Sequence, residues 1–283
     1  MEPQDRLKKN MEFYFGDKYN HLLGNKIVVI DGDITDKKLG QSDEQFENLA
    51  QDIEVVIHTA AIVKHYGDFK NFNDTNVIGT VNVMEFCKKF SKKLYYVSTL
   101  SVSGNIMKES EDEETIQFKE NEFYIGQDLN NVYVYTKFEA EKKIFEGIQD
   151  GLDACILRVG NITNRCGAIV YVGGHFLAAV PVLNSDGKFQ INVSENAFIN
   201  RIKAIMKLGV IQEKFLKHAL EFTPVDCCAE SIVKIIENNP KFTVLHLFNN
   251  NFILSTSLNS GCFRKIAEKQ IRKKAAEIYQ LIY

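Results

Sequence analysis

Four short apolar runs recur through the first part of the chain: residues 26–30 (KIVVI), 54–61 (EVVIHTAA), 94–102 (LYYVSTLSV) and 153–159 (DACILRV). Stretches with helical spacing separate them. A run that is apolar at successive positions, rather than at every second one, suits a strand covered on both faces. Strands of that kind alternating with helices are joined by crossovers and lie parallel. The fold this implies is α/β, built on a doubly wound parallel sheet.

The chain of 283 residues is 45% hydrophobic, enough to bury a large core as one α/β domain or as one domain with a smaller companion. Its formal net charge of −3 gives no reason to expect nucleic acid. Charge is local instead: the acidic residues at 109–114 and the basic stretch at 264–274 read as solvated surface. Cysteines at 87, 155, 166, 227, 228 and 262 form no C-x-x-C pair, which points to reduced thiols and away from zinc. The opening MEPQDRLKKN lacks the apolar core of a signal peptide. The apolar stretch at 166–184 is broken by Gly173, Gly174, His175 and Pro181, and falls short of the roughly 20 residues a membrane span needs. A soluble, cytoplasmic protein without metal or membrane partner is expected.

Taken in order, residues 5–23 read as a helix closed by Gly24, and the 26–30 run as a strand. Asp33 follows that run. A carboxylate just past a strand end can accept from an exocyclic amine such as that of adenine, or serve as a turn or helix cap. A second helix closes over 46–51. The next strand ends in Thr59, Ala60 and Ala61, small residues that let a planar ligand approach the backbone. Residues 71–90 form a long helix whose internal Gly79 marks close packing on the sheet, with Asn76 facing inward near the strand ends. Beyond residue 160, helices are expected at 197–208 and 227–236, with Asp226 as N-cap, strands at 221–225 and 244–248, and a basic amphipathic helix over 263–283.

Chemistry concentrates in residues 133–137 (YVYTK) and in the hydroxyls that end the 94–104 stretch. Tyr133 and Lys137 are four apart and share a helix face, whereas Tyr135 points elsewhere. An ammonium near a phenol lowers its pKa and makes it a usable acid near neutral pH. Thr99 lies at the carboxyl end of a buried parallel strand, where sites in such sheets gather.

The order GDIT, VIHTAA, TNVIGT, YYVSTLSVSG, YVYTK and LRVGN resembles the extended short-chain dehydrogenase/reductases. VKHYGDF at 63–69, NEFYIGQ at 121–127, RVGNITNR at 158–165, DGKFQIN at 186–192 and EFTPVD at 221–226 are similar to the thioester reductase domains of nonribosomal peptide and polyketide synthetases and of carboxylic acid reductases. That resemblance, over residues 5–250, implies a Rossmann-like domain at 1–165, an apolar insertion at 166–184 and a smaller substrate region at 185–283 whose 221–250 part returns to the core. It implies catalytic places for Thr99, Tyr133 and Lys137. Asp33 and Ile34 would flank adenine, and Thr59, Ala60 and Ala61 would line the ribose and pyrophosphate path. Asn76 would support the site, Lys137 would also hold the nicotinamide ribose, and Gly160 and Asn161 would sit beside nicotinamide and substrate. The implied cofactor is NADPH and the implied partner a phosphopantetheinylated carrier protein or domain, with release of an aldehyde or alcohol. A nucleotide-sugar epimerase or dehydratase and a non-catalytic remnant or binding module are the rival readings.

Two departures stand out. The family opens with a strand, a T-G-x-x-G-x-x-G loop and a helix, and no such spacing occurs here. In the strand order 3-2-1-4-5-6 the first two strands would fall between the 26–30 run and the 54–61 run. A fragment of a longer synthetase is expected, ahead of a split protein completed by another chain or an inactive truncation. The second departure is the 166–184 insertion, which supplies no chemistry.

Overall fold

The computed structural model describes residues 1–104, 118–162, 221 and 223–249, and the backbone alone at 163, 170–172, 175–177, 219–220 and 253–254. The acidic loop at 109–114 and the helices expected at 197–208 and 263–283 lie outside these residues, as does most of the 166–184 insertion.

The strands are β1 (Val55–His58), β2 (Lys93–Thr99), β3 (Ala154–Val159), β4 (Ile162–Thr163), β5 (Val170–Val172), β6 (His175–Leu177), β7 (Ala219–Leu220), β8 (Thr223–Pro224), β9 (Val244–Leu247) and β10 (Ile253–Leu254). The central sheet has the order β1-β2-β3-β9 and every pairing in it is parallel. β4 pairs with β8, β5 with β6, and β7 with β10. The helices are α1 (Pro3–Phe15), α2 (Asp43–Asp52), α3 (Phe69–Phe72), α4 (Gly79–Lys89), α5 (Val132–Gln149) and α6 (Val225–Asn238). None of the described helices is long and apolar enough to cross a membrane.

The consecutive apolar residues of β2 explain the layering. Leu94 and Tyr96 join Ala154 and Ile156 on one face, under Phe46 and Ala50 of α2, Val83 and Phe86 of α4, and Ala140 and Ile144 of α5. Tyr95, Cys155 and Leu157 form the other face, under Ile232, Ile235 and Ile236 of α6. Helices on both faces of a parallel sheet are the doubly wound arrangement. Each fully buried aliphatic or aromatic side chain contributes about 1.5–3 kcal/mol. Asn239, in a left-handed conformation after α6, accepts a hydrogen bond from Lys93 Nζ at 2.6 Å and so ties the end of that helix to β2.

Several boundaries differ from the sequence reading. The first helix stops at Phe15, where Gly16 takes a φ of +60°, and a 3₁₀ turn continues to Leu22. The 26–30 run is not a strand: it holds one isolated bridge, Leu23 to Ile27, and leaves Val28 and Ile30 exposed. A strand needs a hydrogen-bonded neighbour, and none of the described strands lies beside this run. The long helix runs from α3 through a π turn at Asn73–Ile78 into α4. Gly79 packs against a loop rather than the sheet, since a Cβ there would meet Ile34 Cδ1 at 2.7 Å. β2 ends at Thr99 and gives way to a 3₁₀ turn at Leu100–Ser103. Pro224, not Asp226, is the N-cap of α6, and Asp226 sits in its first turn, accepting from Cys227 N at 3.0 Å.

Candidate active site

Parallel strands present their carboxyl ends on one edge of the sheet; there β2 ends at Thr99, paired with Val159 of β3 just before Gly160, and β1 ends at His58, paired with Tyr96, just before Thr59. Thr99 is buried, and its Oγ1 accepts from Ser101 N at 3.1 Å, which fixes the turn that follows the strand. α5 starts at Asn131, whose Oδ1 accepts from Tyr133 N at 3.0 Å and Val134 N at 3.2 Å. This N-cap sets Tyr133 in the first turn, where its phenol comes under the influence of the Thr99 side chain. Tyr135 lies on another face of the helix and is exposed.

Lys137 is one turn further on and fully enclosed. Its Nζ donates to Val97 O at 2.8 Å and lies 4.0 Å from the centre of the Tyr96 ring. Burial brings its pKa down to about 7, partly opposed by the Glu141 carboxylate. The expected lowering of the Tyr133 pKa by this ammonium is not what the geometry produces. Burial raises the phenol, and the influence working against burial is the Thr99 side chain. Lys137 is instead drawn down onto β2.

Asn76 is buried in the π turn and joins three elements. Its Oδ1 accepts from Ile62 N at 2.7 Å, and its Nδ2 donates to Ile62 O at 3.1 Å and to Thr136 Oγ1 at 3.0 Å. The segment after β1, with Thr59 and Ala60 exposed and Ala61 half-buried, is thereby held against α5. A π turn suits this, because the widened backbone displaces one side chain from regular helical spacing.

Gly160 and Asn161 follow β3. A Cβ at Gly160 would stand 2.5 Å from both Glu221 Oε2 and Thr223 Oγ1, so only glycine fits. Asn161 is itself anchored: its N–H donates to Glu221 Oε2 at 2.5 Å and its Nδ2 to Glu221 O at 3.3 Å. Asp33 forms a local turn, its Oδ1 accepting from Thr35 N and Thr35 Oγ1, both at 2.8 Å, and these bonds hold its carboxyl below the usual range. Ile34 packs on Gly79, and its carbonyl accepts from Asn82 Nδ2 at 2.8 Å. Ile34 therefore rests on α4 and Asp33 within its own loop, whereas Tyr133 and Lys137 share α5, which Lys137 ties to β2 at Val97 O and Asn76 reaches through Thr136.

Two groupings escaped the sequence reading. Glu221 is buried and gathers Asn161 N, Asn249 N and the Thr223 hydroxyl around one carboxylate. The EFTPVD motif contained it, but nothing in the spacing revealed its partners. Glu141 and Arg158, both fully buried, form a paired hydrogen bond with Arg158 Nε at 3.1 Å and Nη2 at 2.8 Å from Glu141 Oε2. Ser98 Oγ donates to Glu141 Oε1 at 2.5 Å, and Arg158 Nη1 reaches Glu122 O and His246 Nε2. The usable signal was Glu141 lying four residues after Lys137, on the same helix face.

The NAD_binding_4 family model, described as Male sterility protein, matches residues 1–232. The chain is 26% identical to L-2-aminoadipate reductase of Saccharomyces cerevisiae over 233 residues, which is 79% of this chain and 15% of that protein. It is 27% identical over 183 residues to the nonribosomal peptide synthetase asaC of Aspergillus flavus, covering 60% of this chain and 18% of that one. Among solved structures, a thiolation-reductase di-domain from an archaeal non-ribosomal peptide synthetase aligns at 31% identity and a TM-score of 0.74, covering 92% of this chain and 50% of that one. The aureusimine biosynthetic cluster reductase domain aligns at 25% identity and a TM-score of 0.70, covering 98% and 69%. The chain thus spans a small part of the curated relatives it matches.

Proposed function

The chain belongs to the NAD_binding_4 (Male sterility protein) family, and on that premise we propose that it is the core of an NADPH-dependent reductase of acyl or peptidyl thioesters carried on phosphopantetheine. The observation that carries this reading is the placement of Tyr133 in the first turn of α5 with the enclosed Lys137 one helical turn on, tied by its Nζ to Val97 O of β2, the strand that ends in the buried Thr99. Relatives named as reductases and peptide synthetases support the substrate class.

The donor set fits a nicotinamide cofactor at one end. Two neutral hydroxyls and an enclosed amine face the site, and the exposed Thr59–Ala60 backbone lies beside them. Lys137 and Gly160 would hold the nicotinamide riboside, Thr59, Ala60 and Ala61 the ribose and pyrophosphate, and Asp33 and Ile34 the adenine. When bound, NADPH supplies a hydride to the thioester carbonyl. Tyr133 and Thr99 donate to the carbonyl oxygen as it becomes negative, and their burial strengthens that interaction. A phenol kept neutral by burial retains its proton until the oxygen needs it. Asn76 keeps the loop after β1 in register with α5, and Asn161 contacts the substrate. Loss of the thiol from the reduced carbon gives an aldehyde, and a second reduction gives an alcohol. The carrier protein or domain that presents the pantetheine arm is the partner.

The test is Tyr133→Phe in the full chain, assayed by NADPH oxidation with an acyl-pantetheine thioester. Turnover should fall by about 10²–10⁴-fold, the usual worth of a positioned proton donor, while the fluorescence titration with NADPH is unchanged. Wild-type turnover in the variant would refute the assignment.

A further inference from the structure

Lys137 is buried, and a cation taken out of water needs something to hold its charge. The nearest carboxylate is already engaged. Glu141, one turn further along α5, receives Arg158 Nη2 at 2.8 Å, Arg158 Nε at 3.1 and 3.2 Å, and the Ser98 hydroxyl. Glu141 and Arg158 are both fully buried and offset one another at close range. The remaining titratable neighbours carry no compensating charge: burial keeps His58 of β1 neutral, with its pKa lowered to about 4, and raises the Tyr133 phenol. Among the described residues, Lys137 Nζ is met by a carbonyl, Val97 O at 2.8 Å, and by an aromatic face, the Tyr96 ring centre at 4.0 Å.

We infer that Tyr96 is a positioning residue of the site: its ring face, together with Val97 O, seats the Lys137 ammonium and keeps it charged. The consequence for turnover rests on the reductase reading; the contact itself does not. A cation over a ring face is attracted by the ring's quadrupole, most strongly where water is excluded, as it is at a side chain only 1% exposed. The ring has little freedom to turn edge-on. It packs among Val83 and Phe86 of α4 and Ala140 and Ile144 of α5, and the His58 ring lies against it with centroids 5.5 Å apart. Tyr95 cannot take its place, since successive residues of a strand face opposite ways and Tyr95 lies under α6. A neutral ring also suits the chemistry better than a carboxylate would. It holds the cation without placing an anion beside a carbonyl oxygen that becomes negative.

The experiment replaces Tyr96 in the full chain by phenylalanine and by phenylalanine carrying one, two or three ring fluorines. Fluorine drains the negative face of the ring and leaves its shape nearly unchanged, so a purely structural Tyr96 would give the same result in every variant. Lys137 is titrated in each by NMR of ¹³C-labelled lysine Cε, its signal identified by its loss in Lys137→Met. Tyr96→Phe should titrate as the wild type does. The fluorine series should lower the proton affinity of Lys137 stepwise, by about 3- to 30-fold in all, or about 0.5–1.5 pH units, because losing the attraction disfavours the charged form. NADPH oxidation with an acyl-pantetheine thioester should fail on the alkaline side at a correspondingly lower pH. A Lys137 titration indifferent to the fluorine count, or one that follows it while the alkaline limb of turnover stays in place, would overturn the inference. Normal turnover with an unmoved Lys137 would remove Tyr96 from the site and leave the reductase reading. A Lys137 that follows the fluorines in a protein that never oxidises NADPH would keep the contact and remove that reading.

Discussion

His58 should make this protein acid-sensitive by a calculable amount. The ring is buried at the end of β1, its Nε2 lying 3.0 Å from Thr80 Oγ1. The Thr80 hydroxyl already donates its proton to Asn76 O at 2.7 Å, so it can only accept from His58, which fixes a neutral imidazole with its proton on Nε2. Burial, with repulsion from Lys137, lowers the His58 pKa from 6.5 to about 4. The depressed value means that the unfolded chain binds more protons than the folded one between those limits. Stability from this group is therefore complete above pH 6.5, falls as the pH drops, and is gone below about 4. The difference corresponds to about 3 kcal/mol. His58→Gln keeps an amide donor but cannot titrate. Urea unfolding of both proteins at pH 7, 6, 5 and 4 isolates the effect, because the carboxylates common to both cancel in the difference. The wild type should lose about 3 kcal/mol more than the variant across that range. A difference between them that stays constant with pH would refute the reasoning.

Breaking the buried Glu141–Arg158 pair from one side, by Glu141→Gln or Arg158→Met, should cost about 3–5 kcal/mol in urea unfolding, whereas Glu141→Leu with Arg158→Met should restore most of it; equal losses in single and double variants would count against the account. Gly160→Ala should cost roughly 1–3 kcal/mol because its methyl meets Glu221 and Thr223, and an unshifted melting temperature would contradict that geometry.

The sheet was legible because its strands declare themselves by composition. β2 and β3 are apolar at consecutive positions, and burial on both faces is what that pattern requires. The run at 26–30 carries the same signal and fails, since a strand is a relation between two segments and the sequence shows only one of them. Within the site, Thr99, Tyr133 and Asn76 were readable from spacing along single elements. Lys137 could be named as a candidate in the same way, but its contact with Val97 O could not be read, because a carbonyl's direction is set by the neighbouring strand. Glu221 remained hidden for a related reason: its partners at Asn161 and Asn249 are 60 and 28 residues away. Gly79 was assigned to sheet packing because the loop at Ile34 that faces it has no periodic pattern to announce itself.

The π turn at Asn73–Ile78 makes the length of that helix unforgiving. Gly79 N–H reaches back five residues to Asp74 O, so the segment holds one more residue than regular winding would. Deleting any single residue there would restore a uniform coil and rotate one half against the other by about 100°. Phe72 on one side is seated in the interior, as are Val83 and Phe86 on the other, and neither half can turn without lifting its aromatic anchor out. A shortened helix would have to surrender either an anchor or the grip on Ile62, and insertions and deletions in this chain should be tolerated almost anywhere on the surface before they are tolerated here.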